Sequence, residues 1–197
     1  MSIRYCRLVA ASLTLSVLIG CSAPEEPIMR WEKYDLQGNA LPVQDGPWAC
    51  VHDHETGLRW EAKSDNEGLS YAGSTYYWKM DTPVYDGGCM LQPGQSSACD
   101  IDMLIDHLRS TRRCGRDDWR LPHVSELETL LYDTGFPGSA RTVTGFFPHG
   151  GREAFWAADT GVDQRGRPAA MILHFGTGEK SWLPRDQVAR VRLVSGP

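Results

Sequence analysis

Long hydrophobic runs, basic blocks and short catalytic motifs are all scarce in these 197 residues. The most apolar stretch, Leu8 to Ile19, is about 12 residues, too short to cross a hydrocarbon core of roughly 30 Å as a helix. No Lys/Arg block stands out, and the formal net charge is -5. Nucleic-acid binding and electrostatic docking to anionic lipid are therefore poor fits. The same balance argues against a polyanionic ligand, unless Arg109, Arg112, Arg113, Arg116 and Arg120 gather on one face. Gly-x-Ser-x-Gly is missing, and Ser125 and Ser181 have no partners in sequence, so nucleophilic catalysis is not expected. A His-Glu-x-x-His helix and a Cys-x-x-Cys knuckle are missing too, which removes the usual zinc frameworks. No internal repeat or low-complexity stretch occurs.

What is present begins with a targeting segment. Arg4 and Arg7 form a positive n-region, Leu8 to Ile19 an apolar h-region, and Leu18-Ile19-Gly20-Cys21 matches a lipobox. Residues 1–20 are read as a lipoprotein signal peptide and Cys21 as the lipid attachment site. A membrane anchor, a buried helix and a plain secretory signal are the competing readings. Diacylation plus N-acylation supplies the several chains that stable anchoring needs, so the membrane is an expected partner. Ser22 follows the cysteine instead of Asp, and by analogy with other lipoproteins this points to the outer membrane, on its periplasmic or surface face. Loss of Arg4 and Arg7 takes 20 basic residues to 18 against 25 acidic ones, a net charge of about -7. Residues 21–44, with Pro24, Glu25, Glu26, Pro27, Asn39 and Pro42, read as a tether to a domain over 45–197. Trp31 and Tyr34 predict that part of this tether packs on the domain.

Of six cysteines, Cys6 lies in the signal and Cys21 takes the lipid, leaving Cys50, Cys89, Cys99 and Cys114. An even count in an exported chain reads as two disulfides, with three possible connectivities. Cys89 and Cys99 flank a polar loop containing Pro93 and Gly94 that easily brings its ends together, so we pair them, and Cys50 then pairs with Cys114. By chain entropy the longer bridge is worth about 4 kcal/mol and the shorter about 3. The alternative, a four-cysteine zinc site, has unsuitable spacings of 39, 10 and 15.

The pattern along the domain is α+β. Cys50-Val51-His52 reads as extended, Glu55-Thr56-Gly57 as a turn, and Leu58-Arg59-Trp60 as the return strand. Residues 64–98 look irregular. Asp100 is a good N-cap for a helix whose stripe is Ile101, Leu104, Ile105 and Leu108, ending near Arg113. A second helix follows Leu121-Pro122, with Leu127, Leu130 and Leu131 inward and Gly135-Phe136-Pro137-Gly138 as its stop. From residue 153 the pattern is β: a short apolar run at 154–157, an alternating run to Phe175, a turn at Gly176-Thr-Gly178, and a return through Trp182. A final period-two strand is predicted over 189–193.

Three blocks carry a family resemblance. Residues 48–61 (Trp-Ala-Cys-Val-His-Asp-His-Glu-Thr-Gly-Leu-Arg-Trp-Glu) resemble the opening motif of the Lcl C-terminal domain family, the module of a collagen-like bacterial adhesin. Cys114-Gly-Arg-Asp-Asp-Trp-Arg-Leu-Pro-His-Val-Ser-Glu-Leu127 is similar to its Gly-x-x-x-Trp-Arg-Leu-Pro-Thr-x-x-Glu-Leu signature, and Val191-Arg192-Leu193-Val194 to its closing strand. Phe146-Phe147-Pro148 and Phe155-Trp156 fall where members carry a Phe-Pro and a Tyr-Trp. The resemblance covers about residues 48–195 and implies a C-type-lectin-like fold: two helices and a curved antiparallel sheet, disulfide-bonded in the pattern chosen above. It also implies an envelope or surface location and, in the best-known member, adhesion or glycan binding. Here His123 replaces the usual Thr cap, Ala157-Ala158-Asp159 a Ser run, Val194-Ser195-Gly196 ends without the usual Arg, and no collagen-like repeat is present.

Few constellations suggest chemistry. His52 and His54 would share a strand face as half a metal site, but they coincide with a polar turn. Asp81, Asp86, Asp100 and Asp102 could hold calcium, yet the Glu-Pro-Asn, Gln-Pro-Asp and Trp-Asn-Asp tripeptides of true C-type lectins are missing, and Asp100 reads better as a cap. No metal, cofactor or enzymatic activity is expected, the disulfide roles of the cysteines excluding formylglycine-type oxidation. Trp60, Trp119 and Trp156 are expected in the core. Tyr76, Tyr77, Trp78 and Trp182 lie in loops or near turns, where aromatic faces stack on sugars or partners, or anchor loops in a half-buried state. The expectation is an envelope lipoprotein that binds a glycan or a partner protein with loops over 64–98 and 138–168. The alternative is a structural or accessory subunit of an envelope assembly such as a pilus or secretion system.

Overall fold

A computed structural model describes residues 29–66, 68–78, 89–92, 95–97, 99–132 and 145–196. The signal peptide, Cys21, Asp81, Asp86 and the predicted helix stop at 135–138 lie outside the described residues. Among the described residues no helix is long and apolar enough to cross a membrane.

The chain is α+β. It runs through β1 (Trp31–Tyr34), β2 (Ala40–Leu41), β3 (Cys50–Asp53), β4 (Arg59–Glu61), β5 (Tyr76–Tyr77), β6 (Cys89–Gln92) and β7 (Gln95–Ser97). Helices α1 (Ile101–Ser110) and α2 (Val124–Glu128) follow, then β8 (Ala154–Val162), β9 (Pro168–His174), β10 (Lys180–Pro184), β11 (Val188–Ala189) and β12 (Val194–Ser195). One antiparallel sheet has the order β12-β4-β3-β1-β2, a second β10-β9-β8, and β11-β5 and β6-β7 form pairs.

The first sheet therefore begins inside the segment read as a tether. Trp31 and Lys33 alternate inward along β1, the period of a half-buried strand. Trp31 meets the rings of Phe146 and Phe147, and β1 pairs with β3 from Trp31↔Asp53 to Tyr34↔Cys50. Arg30 adds a bidentate pair to the buried Asp53 at 3.1 and 3.0 Å.

Helix α1 starts as predicted, with the Asp100 carboxylate accepting the Met103 N–H at 3.0 Å. Ile101, Leu104 and Leu108 face inward. Helix α2 is shorter than predicted, giving way to turns at Thr129 and Leu130. Its start is secured from outside. Asp159 on β8 accepts the Val124 N–H at 2.7 Å, and Glu126 accepts the His123 N–H at 2.7 Å. Asp159 thus supplies the acceptor at a position where His123 is a poor cap.

The predicted final strand over 189–193 is divided. Its first end pairs with β5 and its last with β4, with Arg190 bridging to Phe155 between them. Val191, Arg192, Leu193 and Val194 are all enclosed, so the alternation of inward and outward side chains expected of the segment is absent.

Two apolar clusters result. One joins α1 to Trp119, Trp156, Tyr76 and Val191 and contains all four disulfide cysteines. Cys50 pairs with Cys114 across a Cα–Cα distance of 6.4 Å, and Cys89 with Cys99 across 5.7 Å. The other gathers Trp31, Trp60, Leu127, Phe147, Phe155 and Phe175 around α2 and β3.

Candidate functional site

Between the clusters lies a group of buried charges. Glu61 ends β4 with its carboxylate fully enclosed. It accepts the Lys63 ammonium at 2.9 Å and the Leu193 N–H at 3.2 Å. Arg192, at 0 % exposure, donates from Nη1 to the Glu61 carbonyl at 2.6 Å and lies over the rings of Phe147 and Phe155. Arg113 reaches the carbonyls of Ala49 and Ala62 at 3.4 and 3.3 Å. Its Nε, and Nε and Nη2 of Arg192, are buried without a hydrogen-bond partner. One carboxylate thus faces three cations. Burial lowers Lys63 to about 8, only partly offset by Glu61, and lowers Arg192 to about 10. The neighbouring cations hold Glu61 below the usual carboxylate range despite its burial.

Lys63 and Arg113 line a cavity of about 550 Å³. Trp48 forms one wall, fixed by its indole N–H on the Phe146 carbonyl at 2.8 Å and by the Lys33 ammonium 3.6 Å above its ring. Asp35 and Asp65 lie on the same lining and are solvent-accessible.

A second feature is Trp182 on β10, 40 % exposed. A Cβ built on Gly161 of β8 would stand 2.9, 3.0 and 3.2 Å from Cη2, Cζ3 and Cζ2 of its indole. Three nearly equal distances place the Gly161 backbone over the ring face, because an edge-on approach would separate them by almost 1 Å. One face of the indole is thus seated on β8, and its exposure comes from the rest of the ring.

The other expected contacts fare differently. Tyr76 and Tyr77 are 0 % and 5 % exposed, so these two expected ligand contacts are core residues. Strand pairing with β11 draws them inward, and the Tyr76 hydroxyl donates to the Leu69 carbonyl. Trp78 is half-buried, edge-on to Trp156 and under Arg185. Trp60, Trp119 and Trp156 are fully buried.

His52 and His54 do share a face, their rings 4.7 Å apart, and His54 lies 3.3 Å from Glu32. Among the described residues no three His, Cys, Asp or Glu side chains are grouped to hold a metal. Asp102 is exposed and Asp100 is occupied as a cap. The five arginines form no patch: Arg109 donates to the Trp119 carbonyl, Arg112 pairs with Asp117, Arg116 with Asp118 and Arg120 with Glu126, while Arg113 turns inward.

A family model described as the Lcl C-terminal domain matches residues 49–195. The chain belongs to the Lcl C-terminal domain family. No curated protein and no solved structure matches it. In this Lcl C-terminal domain protein the match starts just before β3, so β1 and β2 precede it. The turn between those two strands supplies Asp35, Leu36 and Gln37 to the cavity. Sequence reading passed over Glu61, Lys63 and Arg192. The available signal was the unusual density of charge in short segments otherwise made of Trp, Ala, Val and Leu.

Proposed function

We propose that this protein is a lipid-anchored recognition module of the bacterial cell envelope whose C-type-lectin-like domain binds a glycan through Trp182. The carrying observation is the indole seated by one face on Gly161 while 40 % of the residue stays exposed. A flat apolar ring fixed before binding loses little entropy on contact, and sugar C–H faces pack well against it. Burying such a ring inside the protein would gain about 1.5–3 kcal/mol, so leaving it outside is a cost that ligand contact can offset. Family membership and two disulfides favour an extracytoplasmic setting.

A glycan array probed with wild type and Trp182→Ala tests the reading. Loss of the wild-type signal in the variant, with unchanged thermal unfolding, is the expected result. Co-purification with a fixed envelope complex and no glycan signal would replace it with the subunit role. Anchoring is tested separately: Cys21→Ser should release the protein from the membrane fraction.

A further inference from the structure

We propose that the cavity lined by Lys63 and Arg113 is a binding site for a compact, hydroxylated carboxylate such as a sugar acid. This site is separate from the Trp182 face and does not rest on that reading.

The first ground is charge. Buried ions are normally paired, and an unpaired one is costly. Among the described residues the group holds Glu61 alone against Lys63, Arg113 and Arg192, and the Glu61 carboxylate is already engaged by Lys63 and the Leu193 N–H. Arg192 does not line the cavity, but Lys63 and Arg113 do. Lys63 has three N–H donors and spends one on Glu61; Arg113 keeps a buried Nε with no acceptor. A ligand carboxylate beside the Lys63 ammonium supplies the missing charge and acceptors for its remaining donors.

The second ground is the shape and chemistry of the wall. A cavity of about 550 Å³ is of small-ligand size. Trp48 offers an apolar face, while Asn66, Ser70 and Gln37 bring amides and a hydroxyl suited to a hydroxylated body. Asp35 and Asp65 on the exposed lining repel further negative charge. The site therefore selects one carboxylate and disfavours a phosphate dianion or an extended polyanion.

Calorimetric titration of the intact protein with D-glucuronate, glucose and inorganic phosphate tests this. Glucuronate should bind, and glucose, its neutral counterpart, should give no heat in the Trp182→Ala background, where the glycan face is removed. Lys63→Met should weaken glucuronate at least tenfold. Should that variant fail to fold, the surface variant Asp65→Asn still decides, because removing the repulsion should tighten binding several-fold. Trp182→Ala should leave glucuronate affinity unchanged, which separates this site from the glycan face. Equal binding of glucose, tighter binding of phosphate, no binding at all, or an Asp65→Asn variant with wild-type affinity would each overturn the assignment.

Discussion

The cluster around α1 and the cluster around α2 reach similar burial by different means. Around α1 both disulfides lie inside the apolar contacts, tying β3 to the turn after the helix and closing the hairpin before it. Around α2 no disulfide is present among the described residues; rings pack instead, with Phe155 stacked on Phe175 at 4.4 Å and Trp31 edge-on to Phe147 at 5.5 Å. The charged group joins the two, since Lys63 lies near Tyr76 in the first cluster and Arg192 over Phe147 in the second. Covalent closure acts largely on the unfolded chain and ring packing on the folded one. The joint does neither, because buried ion groups rarely add net stability.

The comparison breaks most severely at the joint. Glu61→Gln removes the one carboxylate and leaves three cations, a loss of up to about 5 kcal/mol. Because the ion group lies between the clusters, hydrogen exchange in the variant should quicken together in α1 and around Phe155 and Phe175. Quickening confined to one cluster would show that the ions do not couple them. Next in size is Cys50→Ala with Cys114→Ala, expected to cost about 4 kcal/mol, against about 3 for removing the Cys89–Cys99 bridge. Hydrogen exchange should then quicken first in α1 and β3. Equal quickening around Phe155 and Phe175 would mean that the bridge supports both clusters alike and not the α1 cluster first.

How much of this was legible in sequence follows the same divide. The α1 side was readable because its signals are local: a cap at Asp100, a helical period in four residues, and a polar loop between Cys89 and Cys99. The turn at Gly176–Gly178 was readable for the same reason. Strand β1 was not, because four residues among Pro and Asn carry no pattern and their partner lies about 20 positions on. Tyr76 and Tyr77 sit in a Gly- and Ser-containing stretch that looks exposed, and only pairing with β11, over a hundred residues later, buries them. Glu61, Lys63 and Arg192 read as solvent-facing by residue type, and the tertiary closure that contradicts this leaves no local trace. Trp182 was found as an aromatic near a turn, but the role of Gly161 beneath it was not.

Titration of the joint gives the third effect. The Lys63 ammonium ionises at about 8 in the fold against 10.5 ordinarily. Between those values the unfolded chain holds more protons, so stability rises with pH there. Above pH 10 Tyr76, whose burial pushes its hydroxyl upward, begins to act in the opposite direction. The clean window is therefore pH 8 to 10, with a gain of about 3 kcal/mol at most. Urea midpoints across that window should climb for wild type and climb clearly less for Lys63→Met, in which Lys33, also lowered by burial, still acts in that direction. A flat wild-type profile would mean that Lys63 is not desolvated.

The smallest effect on stability falls on the α2 side and is the sharpest on function. Gly161→Ala introduces a Cβ that meets only the far end of the Trp182 ring, not backbone. The indole can swing away, and β8 keeps its pairing with β9 at Ala169. The fold should therefore change by less than about 1 kcal/mol, because strand interiors accept Ala at least as well as Gly. The platform, however, loses its seat: the ring becomes mobile, and ordering it again on binding costs about 0.5–1.5 kcal/mol. Glycan affinity should fall by up to about tenfold with the unfolding midpoint unchanged. A variant with full affinity would show that the ring needs no support from β8, and that exposure alone, without a fixed face, accounts for any binding at Trp182.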